Sequence, residues 1–215
     1  MDTEAKRILE EGARLLGVKL TARQLQQFQL YLLRLKKWNK RINLTAIRKD
    51  KEIVIKHFLD SLTLFSCLKP YFQALDIGSG AGFPGIPLKI ALPSLQLTLV
   101  EARHKRVAFL KEIKRLLGLK DLTIVNAYLT PEVPVLPPAS FDAVMTRALA
   151  PAAEYIPLAL PYIKEEGSIL LMQGRKKEDI SGLCQRYSLV LQEEKDFMLP
   201  FSGIKRRVLV LKRLA

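Results

Sequence analysis

The chain has 215 residues, 49% of them hydrophobic and 26% charged, and 35 lysines and arginines against 21 aspartates and glutamates give a formal net charge of +14. This composition excludes a disordered chain, a collagen-like repeat and a disulfide-stapled mini-protein, and fits one domain with a small extension or two small domains. The cationic excess points to a polyanionic partner, nucleic acid first and an anionic membrane surface second. No apolar signal core opens the chain and no run approaches about 18 apolar residues, so a cytoplasmic protein without a membrane span is expected. Cys67 and Cys184 lack a Cys-x-x-Cys spacing and only His57 and His104 could join them. Neither a disulfide framework nor a metal site is expected, and both thiols are read as buried.

Residues 1–68 read as a helical extension. From Thr21 a capping-box spacing to Gln24 leads into Leu25, Phe28, Leu32 and Leu35 at intervals of three and four, which is one amphipathic helix. Asp50 opens a second such segment, in which Ile55, Phe58, Leu59 and Leu62 share a face. Neither helix is self-sufficient, and both must pack on something else. Over 69–215 short apolar runs alternate with helical patterns. The predicted strands are 74–77, 95–100, 122–125, 141–145, 168–172, 188–192 and 208–211. Alternation of this kind implies crossover connections and a mainly parallel seven-stranded sheet, closed by an antiparallel terminal hairpin around 196–204. Residues 131–138 hold four prolines and read as a loop.

The most informative segment is Asp76-Ile77-Gly78-Ser79-Gly80-Ala81-Gly82-Phe83-Pro84-Gly85. It leaves a strand, turns on glycines and enters a helix, which is a nucleotide-binding context. Gly80-x-Gly82-x-x-Gly85 also satisfies a dinucleotide fingerprint, and Glu101, at the end of the second strand, can bind a ribose diol in either case. Three features favour S-adenosyl-L-methionine over a nicotinamide. Asp76 is placed to reach the cofactor's amino group, no second substrate domain is present, and the basic balance suits a nucleic-acid substrate.

Five runs then appear in order: Trp38 to Thr45 (WNKRINLT), His57 to Leu62 (HFLDSL), Asp76 to Pro87 (DIGSGAGFPGIP), Lys105 to Leu110 (KRVAFL) and Thr146-Arg147-Ala148. Together they resemble the ribosomal RNA small-subunit methyltransferase G family, also called glucose-inhibited division protein B, over essentially the whole chain. The resemblance implies a class I S-adenosylmethionine-dependent methyltransferase of Rossmann-like α/β fold that methylates N7 of guanosine 527 in 16S ribosomal RNA. The partner it implies is that RNA or the small ribosomal subunit, and a monomer is favoured. The cofactor-binding residues expected are Asp76, Gly78, Gly80, Phe83, Glu101, Leu129, Thr130 and Arg147. After the third strand the family carries an arginine, a small residue and glutamates against the adenine, whereas this chain has Tyr128, Leu129 and Thr130. Only backbone groups of Leu129 and Thr130 carry over, and Gln173 likewise stands where a lysine is common.

The chemistry reads consistently. Pyrimidine C5 methylation needs a cysteine nucleophile beside the donor, and exocyclic amine methylation an Asp or Asn before Pro-Pro and an aromatic residue. Thr146-Arg147-Ala148-Leu149 after the fourth strand has neither. Guanine N7 is a free lone pair that needs alignment and no base. Arg147, at the crevice end of that strand, is the candidate catalytic residue, acting by electrostatics and positioning. His57 and Asp60, one helical turn apart, read first as a satisfied packing pair, and Trp38 with Asn39 and Asn43 admits a structural or a functional reading. Between Arg34 and Lys56 the chain nets +7, half its total. Lys36, Lys37, Lys40, Arg41, Arg48 and Lys49 within this stretch are the expected RNA contacts. Two alternatives stay open: an RNA-binding module with a vestigial cofactor fold, and a dinucleotide-dependent oxidoreductase.

Overall fold

The computed structural model describes residues 1–133, 135–147, 151–174 and 178–214. Pro134 of the proline-rich loop, and Ala148 and Leu149 after the fourth strand, lie outside the described residues. Helix α1 (Thr3–Leu15) starts where Ala5 N donates to the Asp2 carboxylate at 2.7 Å, and it buries Ile8, Leu9 and Ala13 on one stripe. Helix α2 (Ala22–Asn39) has the expected capping box, with Thr21 N donating to Gln24 Oε1 at 2.8 Å and Gln24 N to Thr21 Oγ1 at 3.3 Å. The segment from Asp50 is not a regular helix. It runs as α3 (Asp50–Ile53), a π-helical stretch Val54–Leu59 and α4 (Asp60–Leu62). The wider π turn takes residues off a 3.6-residue stripe, and all of Ile53 to Leu64 except Lys56 is buried.

The sheet has order β3-β2-β1-β4-β5-β7-β6. Strands β1 (Gln73–Ile77), β2 (Gln96–Glu101), β3 (Leu122–Asn126), β4 (Phe141–Arg147) and β5 (Ile163–Gln173) pair in parallel. The hairpin β6 (Leu189–Met198) and β7 (Lys205–Arg213) adds antiparallel. Helices α5 (Gly85–Ala91), α6 (His104–Leu117), α7 (Ala152–Ala159) and α8 (Ser181–Arg186) complete the chain. Strand β6 runs to Met198, beyond the expected residue 192; it pairs with β7 along this length but is an edge strand exposed along most of it, so no apolar pattern marks its end. Backbone pairing and the Arg207 ion pairs to Glu194 (2.6 Å) and Asp196 (3.1 Å), rather than apolar alternation, hold it.

Two apolar cores flank the sheet. Helices α7 and α8 cover one face with Tyr155, Ile156, Leu183 and their neighbours. Helices α1, α2, α5, α6 and the composite segment share a single core with the other face, from Phe28 and Leu32 through Phe58 to Ile86, Leu99 and Phe109. Gln24 Nε2 donates to Ile90 O at 2.8 Å and Gln27 Nε2 to Leu117 O at 2.8 Å, so α2 is docked on the far ends of α5 and α6. The N-terminal helices are thereby fixed to the same wall that carries the glycine turn. Both cysteines, expected to be buried, are only half-buried free thiols, Cys67 in a short turn and Cys184 in the exposed helix α8.

Candidate active site

Strand order reverses at β1, with β2 on one side and β4 on the other, so a crevice opens at the carboxyl ends of these strands. Gly78, Gly80 and Gly82 have φ of 69°, 59° and 94°, a left-handed path that side chains rarely follow. Gly78 N and Ser79 N donate to Val100 O at 2.9 and 3.0 Å, which folds the turn over the end of β2. From the N-terminal extension, Tyr31 donates its hydroxyl to Ala81 O. A Cβ at Gly82 would lie 2.9 Å from that hydroxyl, so the extension braces the turn directly.

Asp76 is fully buried under this turn. Its Oδ2 accepts from Gly85 N at 2.9 Å, and a Cβ at Gly85 would stand 2.8 Å from the same oxygen. Among the described residues its Oδ1 has no hydrogen-bond partner, and neither has the buried Tyr155 hydroxyl from α7. Burial pushes the Asp76 carboxyl up to about 7, against the Gly85 N–H and Arg147, which favour its charge. Burial and then the Asp76 charge raise the Tyr155 phenol well above its ordinary range.

A cavity of about 340 Å³ lies beside the turn, lined by Gly78, Glu101, Arg103, Arg106, Leu129 and Glu154 among others. Glu101 is turned into it, with Oε2 accepting from Gly80 N at 2.9 Å and Oε1 from Arg103 N at 2.8 Å, and Arg106 is 3.7 Å away. Tyr128 stands at the rim, 79% exposed. Of the expected cofactor residues, the cavity thus collects Gly78, Glu101 and Leu129, while Asp76 and Gly80 lie in the strand end and turn that frame it, and half-buried Thr130 follows Leu129. Arg103, Arg106 and Glu154 were not singled out from the sequence. The first two lie next to the acid that ends β2, and Glu154 is in the first turn after β4, a position that faces the crevice in this topology.

Phe83 and Arg147 belong to a neighbouring polar cluster built with the extension. Arg147 Nη1 donates to Lys56 O at 3.0 Å and pairs with Asp60 Oδ2 at 3.4 Å, and Nη2 donates to His57 Nδ1 at 2.9 Å. Because Nδ1 accepts, the ring proton sits on Nε2 and is donated to Thr45 Oγ1 at 2.7 Å. Burial first, and the Arg147 charge second, bring His57 down to about 3, so the ring is neutral. Phe83 stacks on it at 4.5 Å, and the Arg147 guanidinium is 4.9 Å from the Phe83 ring centre. Asp60 also binds Arg206 Nε at 2.8 Å, one carboxylate holding arginines from β4 and β7. Burial pushes this carboxyl up while both arginines pull it down. His57 near the end of the π-helical stretch and Asp60 just after it both contact this guanidinium.

The basic stretch is less free than its composition suggests. Lys36 is paired with Asp50, Arg34 with Glu112 at 3.1 Å, Lys51 with Glu4 at 3.0 Å and Lys56 with Glu52 at 2.9 Å. Lys37, Lys40, Arg41, Arg48 and Lys49 are exposed without an ion-pair partner among the described residues. Lys36, Lys40 and Arg48 rim a second cavity of about 390 Å³ with Asn43 and Thr45. Asn39 is a loop brace, donating to Thr45 O at 2.8 Å and accepting from Leu44 N and Thr45 N. Trp38 packs edge-on against Phe109 at 5.7 Å and donates to Glu112 at 2.9 Å. Among the described residues no helix is long and apolar enough to cross a membrane.

A family model described as rRNA small subunit methyltransferase G matches residues 24–210. A ribosomal RNA small subunit methyltransferase G from Syntrophus aciditrophicus is 41% identical over 96% of this chain and 89% of its own. One from a Geobacter species is 40% identical over 99% of this chain and all of its own. Among solved structures, an S-adenosylmethionine-dependent methyltransferase from Aquifex aeolicus superposes with TM-score 0.60 at 14% identity, covering 79% of this chain and 96% of its own. A TehB-like methyltransferase from Corynebacterium glutamicum gives TM-score 0.53 at 14% identity, covering 72% and 86%. These two likenesses speak for the fold alone.

Proposed function

The chain belongs to the rRNA small subunit methyltransferase G family, and from that membership we propose that it methylates N7 of guanosine 527 in 16S ribosomal RNA, with S-adenosyl-L-methionine as donor. The observation that carries this reading is the cavity of about 340 Å³ at the β1 switch point, where a left-handed glycine turn meets the Glu101 carboxylate. The donor set fits the cofactor. Glu101 offers acceptors to a ribose diol, Leu129 and Leu158 offer apolar walls to a purine, and the unpartnered Asp76 Oδ1 offers an acceptor beneath the turn.

When bound, the cofactor supplies an electrophilic methyl group on a sulfonium. Guanine N7 needs no deprotonation, so the chain's task is alignment and electrostatics. Asp76 and Tyr31 hold the glycine turn, and Glu101 and the Leu129 and Thr130 backbones would hold the nucleoside. Arg147, fixed by His57 and Asp60 and stacked over Phe83, presents its remaining donors to a carboxylate or to guanine O6. His57 is a positioning residue in this scheme: it is neutral and its lone pair already accepts from Arg147. Lys37, Lys40, Arg41, Arg48 and Lys49, with Lys36 beside them, contact RNA phosphates. Calorimetry with S-adenosylmethionine and NAD in parallel tests the cofactor. Binding of the first alone is expected, and tight NAD binding without it would overturn the reading in favour of a dinucleotide oxidoreductase.

A further inference from the structure

Helix α6 carries charge that the protein does not neutralise. Arg103 just before it, Lys105, Lys111, Lys114 and Arg115 on it, and Lys120 just after it are exposed. None has an ion-pair partner among the described residues. The helix's one acid, Glu112, is turned away from them, accepting from Trp38 Nε1 at 2.9 Å and pairing with Arg34 at 3.1 Å. Its neighbours four residues away are Ala108 and Leu116, and with Arg115, three residues on, it makes no ion pair. Lys111 and Arg115, by contrast, sit one turn apart, where like charges destabilise a helix.

The geometry gives this charge a direction. Phe109, Leu110, Ile113 and Leu117 are buried, so Lys111 and Arg115 project from the opposite side of the helix. Arg103 and Arg106 at its N-terminal end line the Glu101 cavity. Glu112 ties its middle to α2, whose last turn brings Lys36 and Lys37. A cationic surface therefore runs from the end of α2 across α6 to the cavity rim. A helix that binds lipid would interleave bulky apolar side chains with its cations, whereas the exposed apolar residue on this face is Ala108 alone.

We propose that the outer face of α6 is a second contact for the phosphate backbone of the RNA substrate, continuous with the α2 patch and distinct from it. The inference rests on the RNA methyltransferase reading for the identity of the polyanion. Its test is the variant Lys111→Gln, Lys114→Gln, Arg115→Gln, in which glutamine keeps helix propensity. Fluorescence anisotropy across a salt series, with a 16S ribosomal RNA fragment and an unrelated RNA of equal length, reads the number of phosphate contacts. The slope of log K against log salt is expected to shrink by about 2 to 3, and affinity at 0.1 M salt to fall at least about tenfold for both RNAs. S-adenosylhomocysteine binding stays unchanged, which confirms a folded cofactor site. A wild-type slope retained in the variant overturns the α6 contact alone and leaves the methyltransferase reading standing. Loss of binding confined to phosphatidylserine vesicles assigns the face to lipid and overturns the proposal as well. A wild-type protein with no affinity for either RNA overturns this inference and the reading beneath it together.

Discussion

Replacing Asp60 by alanine is the sharpest perturbation of the junction between the N-terminal helices and the sheet. The Asp60 side chain is 5% exposed and bridges Arg147, 16% exposed, and Arg206, 22% exposed. Removing it leaves the two guanidinium groups without the carboxylate that bridges them. Losing one partner of a buried pair costs about 3–5 kcal/mol. Arg206 is the more exposed of the two and can turn toward water, and Arg147 keeps Lys56 O and His57 Nδ1, so the lower end, about 3 kcal/mol, is expected. For a chain of this length that is a fall in Tm of about 6–12 °C. Asp60→Asn keeps the volume and an acceptor and should lose clearly less. Urea and thermal unfolding of both variants are the assay, with S-adenosylhomocysteine titration to follow Arg147. An Asp60→Ala protein within about 0.5 kcal/mol of wild type would refute the buried three-way bridge.

Asp76 makes a pH prediction with a definite sign. Its folded value of about 7 lies above the unfolded value of about 3.9, so the folded state holds the proton more tightly. Stability from this group is complete below pH of about 4 and is lost as pH rises to about 7, by up to about 4 kcal/mol. Asp76→Asn should flatten that fall and be the more stable protein at pH 8; identical pH profiles for the two proteins would contradict this. Glu101→Gln should weaken S-adenosylhomocysteine binding about tenfold or more, since hydrogen bonds to a charged group contribute about 1.5–3 kcal/mol, and an unchanged Kd in calorimetry would remove Glu101 from the site. Tyr31→Phe deletes the bond to Ala81 O and should cost about 1 kcal/mol of stability together with some cofactor affinity. If unfolding and binding are both unaltered, the extension does not brace the turn.

Much of this architecture was legible in the sequence because local rules govern it. The glycine turn announces itself through the residue type that follows a left-handed path at least cost, and the α2 stripe and its Thr21 cap follow helical spacing. The central strands β1, β2 and β4 show as apolar runs because most of their residues are buried on both faces of the sheet. What stayed hidden depends on distant partners. A reading at 3.6 residues per turn cannot find the π turn Val54–Leu59, where every residue but Lys56 is buried and no single apolar stripe marks a face. The ends of β6 are invisible for the converse reason, since an exposed edge strand has no apolar pattern to display. The sequence marks Arg147 and, separately, the pair His57 and Asp60, but not that they meet, nor Arg206 beside them, because these contacts form only through the fold. The charge of the Arg34 to Lys56 stretch is legible in composition, but its pairing is not: Glu112, Asp50, Glu4 and Glu52 engage Arg34, Lys36, Lys51 and Lys56, and Lys37, Lys40, Arg41, Arg48 and Lys49 remain without an ion-pair partner among the described residues.

The central claim concerns one atom of one base. Undermethylated 16S ribosomal RNA, or small subunits carrying it, incubated with the protein and S-adenosylmethionine and mapped by nuclease digestion and mass spectrometry, should gain a single methyl group at N7 of guanosine 527. Methylation at another base or another atom, or cofactor binding with no transfer to RNA or subunit, would contradict it.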